Sequence, residues 1–360
     1  MRPIAKGLSS PLYGSHTTFS FDGATAPIVQ KVLRLPSAVN VPISDCLDAW
    51  LRQVKGDKPL GGTRADQDKA VKTIQNHVAA LYKLASVPLT QEFGAFCSFC
   101  ETPLPGLLEV EHCVPKSEYP IFATEWKNFL LACNPCNSAK RNAPSRSMAQ
   151  GWLGALAPSE QDYYDEIRLK HYVWPDMVND SYSWHPVALQ CYEDASSSWK
   201  ALALDRAMHL DNYIVSSDVV TREVKARIYD PSDPQPGRHN DYLVRVVVGV
   251  AGDTVRADEM IKLCKLNEQG NVASTYDRRM FNRTQTWFRC LFALKTLFQV
   301  SGAGTKDAVW KLLVQSSVGT GFYSVWLTVI RFHDPKLAHD FVRDTDQQGY
   351  YSGTDRAKLP

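Results

Sequence analysis

CSFCETPLPGLLEVEHCVPKSEYPIFATEWKNFLLACNPCNSAK, residues 97–140, contains two Cys-x-x-Cys knuckles, Cys97/Cys100 and Cys133/Cys136, around a 32-residue insert. Four thiolates in two such pairs suit a closed tetrahedral zinc site, because each pair grips one side of the ion. A site closed by four sulfurs keeps no open coordination position, so the zinc is expected to be structural. The insert carries more than a zinc staple requires. Glu111 stands next to His112, and Asn128 and Asn137 follow.

Outward from this stretch, the 360-residue chain is long enough for two or three domains. Its hydrophobic share of 44% and charged share of 22% place it with globular rather than disordered sequences. It has no apolar run of spanning length, so no membrane partner is expected. The opening MRPIAKGLSS has no signal-type apolar core, which sets the expectation of a cytoplasmic protein. The five cysteines outside the knuckles (Cys46, Cys113, Cys191, Cys264, Cys290) show no pairing rhythm and are expected to be reduced and mostly buried. A net charge of +2 advertises no nucleic-acid partner by itself, so any such surface must be local.

The expected fold class is α+β, with a zinc-stapled module embedded between a mostly helical lead-in and a mixed C-terminal domain ending in helices. Four segments are expected: 1–90, 91–146, 147–343 and a polar tail, 344–360. Residues 1–42 are expected to drape over another surface rather than build a core. Helical spacing marks Ile43–Val54 and residues 66–86, with His77 on the apolar face of the second. Further helices are expected at Ser147–Leu156, Ala257–Leu266, Arg279–Phe298 and Asp307–Ile330. Strands are expected at Ile167–Val173 and 242–250, and a linker at 228–240.

Hydrolysis of a phosphodiester needs a base for water, a hard cation at the scissile phosphate, and a group holding the base in one tautomer. Histidine suits the first role, since its ordinary pKa is near neutral. Carboxylate and amide oxygens suit Mg²⁺. The run CSFC, EHCVPKS, NFLLAC, CNPCNSAK resembles the HNH (ββα-metal) endonuclease family in its cysteine-knuckle form, over about 45 of the 360 residues. That resemblance implies His112 as general base and Glu111 as first ligand of a catalytic Mg²⁺ or another divalent cation. It implies Asn137 as second ligand, Asn128 as the brace of the loop, and Lys116 and Lys140 as phosphate contacts. Glu111 stands where Asp is commoner, and Asn137 where the family has His or Asn.

The opening MRPIAKG and the distal IKLCKLN…YDRRMFNRTQTW resemble HNH nucleases that work with an ABC-type or OLD-like ATPase partner in anti-phage systems of the Septu kind. The function so implied is Mg²⁺-dependent cleavage of DNA. Two alternatives stand beside it: RNA as substrate, and a catalytically silent zinc ribbon that binds nucleic acid or a partner protein. From Cys97 to Arg146 five Lys/Arg face five Glu, so the module itself is not basic. The best local excess is 275–295, where Arg278, Arg279, Arg283, Arg289 and Lys295 face only Asp277. Arg279 and Arg283 share a helical face there and are the candidate nucleic-acid contacts; the alternative is an ordinary solvated face.

Overall fold

In a computed structural model of the chain, the residues described are 6, 16–57, 60–106, 108–154, 157–176, 187–193, 198–201, 207–209, 213–217, 224–228, 243–248, 254–268 and 277–347. Cys191's side chain and most of the expected linker 228–240 lie outside this description. The architecture is mostly helical with small sheets, broadly the expected α+β class. Two compact units emerge. One comprises Lys6–Glu92 and Leu107–Trp174; the other contains Phe93–Gly106 and the described residues from Pro175 onward.

The first unit begins with strand β1 (Thr18–Phe19), helix α1 (Ala26–Leu33) and strand β2 (Val41–Pro42), which pairs antiparallel with β1. Helices α2 (Ile43–Lys55), α3 (Arg64–Lys83) and α4 (Ser86–Phe93) follow. Phe19, Phe21, Val29, Val32 and Val41 join Leu47, Trp50, Val71, Ile74 and Val78 in one buried core. For the described part of residues 1–42 this corrects the expectation that they merely drape: Phe19, Phe21, Val29, Val32 and Val41 are built into the same core as α2 and α3. His77, expected in the core, is half-buried at its edge, with the Phe21 ring at 4.6 Å. A reciprocal capping box between Thr63 and Asp66 starts α3. Just before it, a Cβ on Gly61 would lie 2.3 Å from the Lys31 carbonyl, so only glycine lets the chain pass α1 this closely.

The same unit continues with strands β3 (Glu109–His112) and β4 (Phe129–Ala132), paired antiparallel with His112 opposite Phe129, and helix α5 (Asn134–Lys140). Helices α6 (Arg146–Leu153) and α7 (Glu160–Asp165) close it. Arg146 sits between the Tyr119 and Tyr163 rings, 4.7 Å from each, and forms a bidentate pair with Glu160. The expected strand Ile167–Val173 is instead a wide helical turn, Glu166–His171, continuing from α7. Its apolar residues are spaced ambiguously between strand and helix, and the buried Ile167, against whose carbonyl Trp174 donates its indole N–H, settles the matter.

In the second unit, strands β5 (Val187–Glu193), β6 (Ser198–Ala201) and β9 (Leu243–Val246) form an antiparallel sheet of order β6-β5-β9, and β7 (Tyr213–Ser217) pairs with β8 (Val224–Ile228). Helices α8 (Thr254–Leu263), α9 (Arg279–Gln299), α10 (Ala303–Thr320), α11 (Tyr323–His333) and α12 (Pro335–Gln347) complete it. Trp287, Phe288, Leu291 and Leu294 form the buried face of α9, and Trp287 donates its indole N–H to the Ala207 carbonyl. The single helix expected over Asp307–Ile330 is two. Gly321 (φ +69°) and Phe322 (φ 55°) break it, and a Cβ on Gly321 would lie 2.5 Å from the Glu101 carbonyl. The Glu101 carboxylate, itself buried, then accepts from both the backbone N–H and the hydroxyl of Ser324 in the first turn of α11.

Candidate metal centre and hairpin–helix site

Cys97, Cys100, Cys133 and Cys136 come together with their sulfurs all within 4.8 Å of one another, and all four are buried. Zn–S bonds of about 2.3 Å place tetrahedral sulfurs roughly 3.8 Å apart, so this cluster is compatible with a structural Zn²⁺. Local structure shapes each knuckle. At the first, the Cys97 amide donates to the Thr102 carbonyl at 2.9 Å, Glu101 turns through φ 65°, and the Thr102 hydroxyl lies 3.1 Å from the Cys100 sulfur. At the second, Cys133 is the N-cap of α5 and Pro135 occupies its first turn, so Cys136 follows one turn on. Among the described residues this is the one group of three or more His, Cys, Asp or Glu side chains close enough to share a metal ion.

β3, β4 and α5 form a ββα hairpin–helix unit. Alternation along β3 sends Glu109 and Glu111 to one face and Val110 and His112 to the other. On the first face lies α5: Asn137 donates its amide to Glu109, and the Lys140 ammonium donates to Glu111 at 2.8 Å. Asn137 and Lys140 are three residues apart, one turn of the helix, matching two residues of strand. Lys140 has no exposure and Glu111 only 6%. The expectation that Lys140 contacts phosphate is therefore corrected: its charge is spent inside the fold on Glu111.

On the other face, His112 is 2% exposed, with the Tyr82 ring edge-on at 4.6 Å and Phe129 at 5.1 Å. Its Nε2 lies 3.0 Å from the Ala123 carbonyl. A carbonyl can only accept, so Nε2 carries the proton and the Nδ1 lone pair is the basic site. Burial holds the imidazole well below its ordinary pKa, and the nearby positive charge of Lys116 adds to this.

Asn128 is fully buried and ties the loop between the strands. Its Oδ1 accepts from the Val114 amide at 2.7 Å, while its Nδ2 donates to the carbonyls of Val114 (2.9 Å) and Phe122 (3.0 Å). The Cys113 amide donates to the Asn128 carbonyl at 2.9 Å, so the segment that presents the Ala123 carbonyl to His112 is held at both ends. Cys113 is a buried thiol outside the sulfur cluster, as expected.

Three other residues shape the site without having been singled out for it by sequence. Tyr82 carries only the apolar periodicity of α3. Lys6 donates to the Phe129 carbonyl and stands 5.2 Å from the Trp126 ring, although nothing in its sequence context signals this. Glu109, the partner of Asn137, lies two residues before Glu111 and could have been found from strand alternation. Lys116 is half-buried, 5.0 Å from the Tyr82 ring, and burial lowers its pKa.

The two arginines expected to form a nucleic-acid face do not. Arg279 is 5% exposed and binds Asp277 and the carbonyls of Cys264 and Lys265; Arg283 is 1% exposed and donates to the carbonyls of Val244 and Leu266. The face they share is the one α9 turns inward to tie down strand β9 and the chain just after α8. No helix among the described residues is long and apolar enough to cross a membrane. Comparison with family models, with curated proteins and with solved structures found no match for this chain.

Proposed function

We propose that this chain is a metal-dependent endonuclease of the HNH type that hydrolyses phosphodiester bonds in DNA. The observation that carries the reading is the single tautomer imposed on His112 inside a ββα hairpin–helix whose loop Asn128 braces. In the reaction, Nδ1 of His112 takes a proton from water as the water oxygen bonds to phosphorus and the 3′-oxygen leaves with the electron pair of the broken P–O bond. Nε2–H on the Ala123 carbonyl keeps the ring oriented as it becomes imidazolium. Glu111 and Asn137 are hard oxygen donors and fit a Mg²⁺ in kind; they lie on the face of β3 opposite His112 and Lys140 holds Glu111, so this role requires the Lys140 pair to open and the strand end to turn. Bound there, Mg²⁺ would neutralise charge at the phosphate and on the departing oxygen. Collaboration with an ATPase in anti-phage defence rests on the sequence resemblance of the chain's opening and its 261–287 region.

One observation favours a second reading. His112 is nearly sealed and Glu111 is already neutralised by Lys140, an arrangement that also suits a catalytically silent zinc module. Cleavage of supercoiled plasmid, and in parallel of structured RNA, separates the two. Wild type and His112→Ala are compared with Mg²⁺, Mn²⁺ or EDTA, alone and with an ATPase encoded beside the chain. Metal-dependent cutting lost in His112→Ala supports the nuclease. Cutting of RNA alone transfers the chemistry to that substrate. No cutting under any condition, with zinc retained, establishes the silent module.

A further inference from the structure

Within the second unit, a cavity of about 400 Å³ opens between α9 and the end of α10. Its floor holds Arg278, the N-cap residue of α9, and Asn282, Gln285 and Arg289 along the helix. Their spacing of four, three and four residues keeps them on one side of a helix. With a rise of about 1.5 Å per residue, the two arginines stand roughly 16 Å apart along the axis. Phe281 and Thr286 flank the stripe, and Gly319, Thr320, Phe322 and Pro103 form the facing wall.

The chemistry of the lining is one-sided. It holds two guanidiniums, two amides and two hydroxyls, and no carboxylate. Asp277, the acid beside Arg278 in sequence, pairs with Arg279, and Glu101 accepts from Ser324. Arg289 is exposed and makes no hydrogen bond or ion pair among the described residues, and neither does the Asn282 side chain. The Arg278 guanidinium lies over the Phe281 ring at 4.4 Å, which sets its position at the mouth. An isolated phosphate would meet one end of this row and leave the other unused. A linear polyanion would meet cations at both ends and hydrogen-bond donors between.

We propose that this groove binds a short single-stranded segment of nucleic acid, its phosphodiester backbone running along α9 between Arg278 and Arg289. Of the cluster at 278–295, these are the outward arginines, while Arg279 and Arg283 hold the fold. Binding does not depend on His112 or on a catalytic metal, so it stands or falls separately from cleavage.

The test is fluorescence polarisation of a labelled ten-nucleotide oligo-dT with the full-length protein, without divalent cations, across a salt series. Two variants are compared with wild type: Arg278→Gln/Arg289→Gln, which removes both charges, and Gly319→Leu, which fills the cavity. A Cβ at Gly319 meets no atom within 4 Å, so the added side chain starts in open space and the charge is unchanged. The double variant should lose tenfold or more in affinity at low salt. Its dependence of log affinity on log salt should be shallower by about 1.4, two contacts at roughly 0.7 each. Gly319→Leu should weaken binding with the salt slope nearly unchanged. Unaltered binding in both variants would overturn the proposal. So would displacement of the oligonucleotide by a mononucleotide at equal phosphate concentration, which would assign the groove to a free nucleotide.

Discussion

The ββα unit and helix α9 both bury cations, and they do so by opposite means. Lys140 is sealed on a seven-residue helix and meets a single carboxylate, Glu111, across 2.8 Å. Arg279 and Arg283 lie on a 21-residue helix and spread their donors over carbonyls of the chain around it. The long helix has a broad apolar face from Trp287 to Leu294, and its arginines tie strand β9 and the chain just after α8 to an already packed element. Strands of four residues and a helix of seven bury too little to do that. The short unit therefore rests on discrete polar contacts, and its cysteines belong to a cluster compatible with a structural zinc.

That contrast can be broken by experiment, and the metal is where the effect should be largest. Cys133→Ser leaves three sulfurs, so zinc content should fall from one per chain to substoichiometric. Thermal unfolding should shift further than for any single packing change, since apparent zinc-binding energies in small domains are of order 10 kcal/mol. Mass spectrometry and calorimetry read both; retained zinc with an unchanged Tm would sink the structural assignment. In α9 the equivalent blow is to packing. Trp287→Ala should cost about 3–5 kcal/mol while zinc stays at its wild-type level.

The buried pair gives the sharper comparison. Lys140→Met strands the Glu111 carboxylate, and breaking such a pair from one side costs about 3–5 kcal/mol. Adding Glu111→Gln removes the stranded charge, so the double variant should regain most of that loss in denaturant unfolding. If both single changes simply add, the two groups are not coupled and the ion pair is not what organises this face.

The two regions also differ in how far their sequence foretold them. Cys97 to Cys136 were legible because ligand spacing is a local constraint: a knuckle has few ways to present two sulfurs. His112 and Asn128 are singled out by residue type and order, but the partition of Glu111 and His112 onto opposite faces of β3 depended on the strand's persisting to His112. Arg279 and Arg283 were misplaced because a charge count carries no information about how a helix is rotated against its neighbours. Phe19, Phe21 and Val29 were overlooked for a related reason, since their partners on α2 and α3 are distant in sequence. The break at Gly321–Phe322 was hidden in a stretch whose apolar residues suit one helix or two.

The smaller effects return to the loop between the strands. Asn128→Ala deprives the Val114 amide and two carbonyls of their partner in a site closed to water, and roughly 2–3 kcal/mol should be lost. Asn128→Asp keeps the acceptor for Val114 but turns a donor toward two carbonyls into a repelling oxygen, so it should rescue little. His112 contributes the mildest signal, and it is one of pH. The fold holds the imidazole below its ordinary value near 6.5, so the unfolded chain binds the proton more readily. His112's contribution is thus fully present above about pH 6.5 and declines as the pH falls below it, whereas His112→Gln should be flatter across that window. Parallel denaturation curves for the two proteins from pH 7.5 down to pH 5 would mean that water or an anion reaches the ring and stabilises its charged form. That result would remove the sealed His112 environment on which the silent-module reading depends, and leave the base open to substrate.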